Sequence, residues 1–372
     1  MRHEIKKESS MNSWYQTPCT KPCQKSAELA IARQTSLTKP QGSLGRLEEI
    51  AVKFASWQSK EIPVIEDIMV RVFAGDHGIC AQNVSAFPQQ VTMQMVLNFL
   101  YNGAAVSVLC KKENANFAVV NAGLATALPD SNEVKNHPDL INSPVASGTK
   151  DFSLEKAMSH EEMQSALALG KQVIDNQIER KPLTQLLIVG EMGIGNSSSA
   201  SAIYSSILGI SAETSSGPGT GLNAEEISHK ASIIKKSLAL HGLSNSETRP
   251  KALDILCSVG GFEIAALVGA YIAAAQHRVP SLIDGFISTA AALIAVEINP
   301  SCDDWFLYSH HSAEPAHHLA LDHLHASPLL NLGMRLGEGS GAALCISIIK
   351  SALSLHQNMA TFSEAEVAGK IR

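Results

Sequence analysis

Two kinds of segment alternate along the chain when it is read for the spacing of its apolar positions. Short β-branched or aromatic runs at 67–73 (DIMVRVF), 116–120 (NFAVV), 185–189, 281–283 and 305–308 predict strands. Longer stretches with three-to-four spacing predict helices. One such pattern runs from Lys25 to about Gln58, broken by TKPQGSLG, where Pro40, Gly42 and Gly45 mark a turn. A second covers 88–110, with Pro88 in its first turn. Others run from Ser159 to about Ile178, from Asn223 to about His241, over 261–276, after each of the last two strands, and over 339–355. Ser159 with Glu162 and Asn223 with Glu226 have the spacing of helix-opening caps.

Strands that alternate with helices form parallel βαβ units with crossovers on both faces. The expected fold is therefore α/β, a doubly wound, Rossmann-like parallel sheet. Residues 128–152 are the one long loop-like stretch, and no internal repeat is present. Polar and glycine-rich residues cluster where strands end and helices begin. Those segments share one edge of an open parallel sheet, where ligands bind. On this reasoning Asp76, His77, Asn121, Glu191, Asp284, His310 and Glu314 gather around one cleft.

Composition narrows the classes. The 372 residues are 45% hydrophobic, enough for a large core, and the net charge of −6 argues against a nucleic-acid partner. The apolar runs 264–275 and 285–296 are too short to span a bilayer, so no membrane partner is expected. The first 16 residues lack the apolar centre of a secretory signal, and a cytoplasmic location is expected. Of seven cysteines only Cys19 and Cys23 are close, and no second pair completes a zinc set; reduced thiols filling core space are the expectation.

Three glycine-rich segments could carry chemistry. GEMGIGNSSS (190–199) sits between a strand and a helix, where free N–H groups point at an anion. It lacks the lysine of a Walker A loop and the third glycine of GxGxxG, and its unusual member is the acid Glu191, a functional acid or else a capping or ion-paired carboxylate. GPGTGL (217–222) precedes the Asn223 cap and forms a second candidate anion site, with Lys230 two turns into the helix, within reach of a phosphate or else solvated. RLGEGSG (335–341) sets Glu338 between glycines beside Leu336. It is either a helix-start carboxylate or a general base with room for a planar ligand. Asp76-His77 lacks the spacing of a metal or triad motif, and the histidines between 310 and 325 read as packed or solvated, so no metal is expected.

These segments resemble the nicotinate-nucleotide–dimethylbenzimidazole phosphoribosyltransferases of cobalamin lower-ligand assembly. The resemblance runs from about Lys39 through the last long helix, in TKPQGSLGRLEEIA (38–51), in 73–109, in GEMGIGNSSSASAI (190–203), GPGTGLN (217–223), 260–293, SHHSAEP (309–315) and RLGEGSGAAL (335–344). It implies a sheet of roughly six strands, a small helical domain built from both chain termini, and a homodimer. It implies phosphoribose transfer from nicotinate mononucleotide to 5,6-dimethylbenzimidazole by a single inverting displacement, with no cofactor. It implies Glu338 as general base, Glu191 and Lys230 at the donor, Gly193, Gly219 and Ser312 at its phosphate, and Ser85 and Gln94 at the base pocket. The domain limits expected are 1–25 as a poorly ordered lead-in that can be trimmed to residue 20, 26–60 plus 345–372 as the helical domain, and 61–344 as the catalytic domain. Departures are Asn121 where an aspartate is expected, and Pro218 and His311 where arginine is frequent. The alternatives are transfer to a purine or phenolic base, or a catalytically silent nucleotide-binding regulator; retained Glu338, Glu191 and Lys230 argue against the latter.

Overall fold

The computed structural model describes residues 13–244 and 250–368. In chain order the elements are α1 (Gln24–Ser36), α2 (Arg46–Gln58), β1 (Ile68–Gly75), α3 (Val91–Leu100), α4 (Ala105–Glu113), β2 (Asn116–Gly123), α5 (Asn132–Lys135) and β3 (Leu140–Asn142). There follow α6 (His160–Arg180), β4 (Leu186–Met192), α7 (Asn196–Leu208), α8 (Ala212–Ser215), α9 (Ala224–Leu240), α10 (Ala252–Val259) and α11 (Phe262–Gln276). The last are β5 (Ser281–Ile283), α12 (Phe286–Ile298), β6 (Phe306–Tyr308), α13 (His317–His323) and α14 (Ser340–Asn358).

The six strands form one parallel sheet in the order β3-β2-β1-β4-β5-β6. Central β1 is buried at every residue, as a parallel strand covered on both faces should be. The chain winds outward from β1 through β2 to β3, then returns to lay β4 on the other side of β1. The carboxyl ends of β1 and β4 therefore diverge, and the crevice between them opens at Met192, the partner of Ala74. Helices α11 and α12 are apolar nearly all round and form the centre of the core beside the sheet.

Two features depart from the expected pattern. The 88–110 stretch is two helices, α3 and α4. Asn102 adopts φ +59° and Gly103 follows, which ends one helix before the next begins. Residues Val91–Glu113 together are long and apolar enough to cross a membrane, but the break divides them into pieces of 10 and 9 residues. The loop-like 128–152 contains the sixth strand, β3, whose three residues pair with Val119–Asn121. Asn121 fastens this edge: its amide donates to Asn142 Oδ1 at 2.7 Å and its Oδ1 accepts from Leu124 N at 3.1 Å.

The poorly ordered lead-in is corrected from residue 13 onward; residues 1–12 lie outside those described. Tyr15 and Cys19 are buried in the main core. The Asn299 amide donates to Tyr15 O and Thr17 O, the Gln276 amide to Trp14 O and Thr17 O, and Trp305 Nε1 to Thr20 O. At the other terminus α14 packs against α2, and Arg33 of α1 donates to His356 O at 2.7 Å and Gln357 O at 2.8 Å.

Candidate active site

A cavity of about 290 Å³ lies at the carboxyl edge of the sheet beside β4. It is lined by the 191–197 turn into α7, by Gly219 and Thr220, by 285–287 after β5, by His310, Ser312 and Glu314 after β6, and by 335–338 before α14. Phe87 stands at its rim, half exposed. Three of the glycine-rich segments picked out by pattern thus meet with the strand ends.

Glu338 is 6% exposed and holds a left-handed backbone, φ +64°, between Gly337 at +85° and Gly339 at +81°. Three consecutive residues in that region are tolerable only because two are glycine; a non-glycine residue there carries strain of order 1 kcal/mol or more. Two carboxylates hold the turn through three hydrogen bonds. Glu338 N donates to Glu191 Oε1 at 3.4 Å, and Asp284 accepts from Gly339 N at 3.1 Å and Ala342 N at 2.8 Å. Gly190 lies flat against the carbonyl of Glu338, where any side chain would overlap it. The Glu338 carboxyl is pushed up to about 7 by burial and by the nearby Asp284 charge. No hydrogen bond from the described residues offsets either effect, so this carboxyl can exchange a proton near neutrality.

Glu191 is also buried, with its Oε2 accepting from the Asn196 amide. Burial, then the charges of Glu263 and Asp284, hold it well above the usual carboxylate range, against the pull of Asn196 and Glu338 N. Asp284 is raised too, chiefly by burial, with His310 opposing at 3.8 Å. Three buried acids thus crowd one end of the cavity.

The other end is cationic. Lys230 is fully buried, and its Nζ donates to Ser197 Oγ at 2.9 Å and Gly217 O at 3.4 Å. Burial lowers it to about 8, with Glu314 opposing. Arg335 donates to Gly219 O at 3.1 Å, and Gly219 N donates to Glu314 at 3.0 Å. Ser312 N donates to His317 Nδ1 at 2.8 Å, so the Nε2 proton of neutral His317 is directed at Thr289 Oγ1, 3.0 Å away. Burial lowers His317 to about 3, which keeps it neutral.

Of the residues singled out from sequence, Glu338, Glu191, Gly193, Gly219 and Ser312 line the cavity, and Lys230 reaches it through Ser197. Ser85 lies at the rim, 3.3 Å from Thr220 Oγ1. Gln94 is not brought in: it is exposed on α3 and does not line the cavity. The expected single cleft also divides. His310 and Glu314 line the cavity and Asp284 lies behind it, under the turn that carries Glu338, whereas Asn121 lies at the β2–β3 edge. His77 is sealed beneath, its Nε2 2.6 Å from Glu263 Oε1 and its Nδ1 3.0 Å from Ser199 Oγ. That Ser–His–Glu line has the order of a hydrolytic triad, but all three side chains are fully buried and away from the cavity. Asn196, Ser197, Thr220, Phe286 and Arg335 were missed as lining residues; their only signal was adjacency to the glycine-rich turns. Among the described residues no three His, Cys, Asp or Glu side chains group as metal ligands.

The sequence model of a phosphoribosyltransferase family matches residues 19–367. A protein of Pseudomonas fluorescens strain Pf-5 named nicotinate-nucleotide–dimethylbenzimidazole phosphoribosyltransferase is 47% identical over 360 residues, covering 96% of this chain and 99% of that one. One of the same name from Bradyrhizobium sp. strain BTAi1 is 46% identical over 357 residues, covering 96% and 98%. Among solved structures, CobT from Thermus thermophilus superposes with a TM-score of 0.85 at 36% identity, covering 93% of this chain and all of that one.

Proposed function

Because the chain belongs to the phosphoribosyltransferase family, matched over residues 19–367, we propose that it transfers phosphoribose from nicotinate mononucleotide to 5,6-dimethylbenzimidazole, giving α-ribazole 5′-phosphate and nicotinate. The observation that carries the reading is Glu338: a buried carboxyl lining the cavity, raised to about 7, with no hydrogen bond to hold it ionised.

The donor's ring nitrogen is cationic, so nicotinate leaves with its electron pair and needs no metal or covalent intermediate. A nitrogen of the incoming base attacks C1′ from the opposite face, one displacement inverts that carbon, and Glu338 takes the proton the base gives up. General-base assistance of this kind contributes roughly 10²–10⁴-fold, and holding two rings about one ribose several kcal/mol more. Glu191 belongs to the donor site. The phosphate lies among Gly193, Gly219, Ser312 and Lys230, where backbone N–H groups at the start of α7 and an ammonium face an anion. Ser85 belongs to the rim of the base pocket. The exposed position of Gln94 in one chain argues against a direct role for it there.

The test is to mix nicotinate mononucleotide with a panel of bases and follow nicotinate release. Release with dimethylbenzimidazole, giving the α-riboside, is expected; release only with a purine or phenol would replace the acceptor, and release with none would remove the activity. We place the enzyme in the cytoplasm and assign it a homodimer, with α1, α2 and α14 as the helical part at the interface. Sedimentation should then show a dimer that deletion of residues 1–50 disrupts.

A further inference from the structure

The cationic end of the cavity contains an acid. Glu314 is 5% exposed and lines the cavity, and its Oε2 is buried without a hydrogen-bond partner. Its Oε1 accepts from Gly219 N at 3.0 Å, and its own N–H donates to Ser312 Oγ at 3.3 Å. Gly217 lies directly against Oε2, where a side chain would displace it. The charged or titratable groups facing it are Lys230 from α9, Arg335 from the segment before α14, and Tyr204 from α7. A carboxylate thus stands among the same N–H, hydroxyl and ammonium groups that the reading above gives to a phosphate.

Two fully ionised anions in one buried site repel each other strongly. A single proton between them turns that repulsion into a short, charge-assisted O–H···O bond. The proton is within reach near neutrality, because a phosphate monoester takes up its second proton at about pH 6. Burial also pushes the Glu314 carboxyl up, against Lys230, Gly219 N and Arg335.

We propose that the cavity-lining carboxyl of Glu314 holds the donor's 5′-phosphate through one shared proton, so that the site selects an anion that can carry a proton over one that stays fully ionised. The inference rests on the phosphate placement given above. No covalent bond forms or breaks in this step: the donor dianion and one proton from solvent enter together. The product keeps the phosphate, so the proton stays through the displacement and leaves with the product.

Titration calorimetry of the full chain with nicotinate mononucleotide at about pH 8, in two buffers of different ionisation heat, should show uptake of roughly one proton per donor bound. Glu314→Gln should cut the uptake to no more than the roughly half proton that Lys230, near its own midpoint at this pH, takes up beside the phosphate. In parallel, inorganic phosphate should bind the wild type at least about tenfold more tightly than sulfate, which has no proton to share. In Glu314→Gln the amide can donate to sulfate, and the preference should fall to within about threefold. The wild-type measurements require no variant, and a melting curve establishes that the variant folds. Donor binding without proton uptake, or sulfate bound as tightly as phosphate by the wild type, overturns the inference while leaving the site reading intact. A wild type that binds neither donor nor phosphate overturns the site reading, and this inference with it.

Discussion

In the proposed role of Glu338 as general base, the requirements of catalysis and of stability oppose each other, and one substitution separates them. Its carboxyl is raised from the usual 4.5 to about 7, so the contribution it makes to folding is complete below about pH 4.5 and is lost as pH rises through 7. The loss amounts to roughly 3 kcal/mol, an upper figure for one buried group. Glu338→Gln should cut kcat by roughly 10²-fold or more, with donor affinity nearly unchanged. The same variant should melt higher than wild type at pH 8, with the gap closing toward pH 5. A purely structural carboxylate predicts the reverse, a variant of ordinary kcat and lower melting temperature. In the wild type the acid limb of kcat/KM should fall near pH 7, as a base that must be unprotonated in the free enzyme requires. Glu338 was legible in sequence because its signals are local: a glycine on each side and an apolar neighbour. Glu314 and Asp284 stood out only as polar residues after strands. What gives them roles, Gly219 N for one and the first turn of α14 for the other, lies 95 and 55 or more residues away.

At the scale of elements, the proposed base is held by how α14 begins. Asp284, at the end of β5, accepts from Gly339 N and Ala342 N, and so fixes the turn that aims Glu338 while placing a second charge beside it. Asp284→Asn keeps one acceptor and removes the charge. The acid limb of kcat/KM should therefore move to lower pH, because Glu338 loses a neighbour that raises it, and the fold should weaken by roughly 1–3 kcal/mol from the lost bond. A limb that stays in place in a folded variant would leave burial alone to account for Glu338. The strong periodic elements were predicted within a few residues: α6 and α9 open on the capping boxes read at Ser159 and Asn223. The misses have physical causes. A three-residue strand such as β3 has too little periodicity to register, and it pairs along one side only, at the sheet edge. The α3–α4 break depends on one asparagine taking a left-handed conformation within an otherwise continuous apolar pattern.

Across the whole molecule the sheet has two working edges. The carboxyl edge carries the cavity, and the amino edge is closed by residues 13–23, a segment whose mixed polarity gave no sign of docking. Its partners explain why. It is held mainly through its own carbonyls, which every residue type supplies, by the side chains of Gln276, Asn299 and Trp305 at the far ends of α11 and α12 and beside β6. Sequence reasoning expected removal of residues 1–20 to be harmless; the structure argues otherwise. That deletion would take Tyr15 and Cys19 out of the core and leave three donors without their acceptors. Each orphaned donor costs about 1–3 kcal/mol unless water reaches it, and the lost aromatic core residue about 3–5. The truncated chain should therefore melt well below wild type, by about 10 °C or more for a protein of this size. Its kcat at low temperature should be nearly unchanged, because the strap and the cavity lie at opposite ends of the strands. Deletion of residues 1–12 alone removes none of these contacts and serves as the reference truncation. Melting curves and initial rates on the two truncations decide the matter: equal melting temperatures would mean the strap is dispensable, and a large loss of kcat in the folded longer truncation would mean the two edges are coupled through β5 and β6.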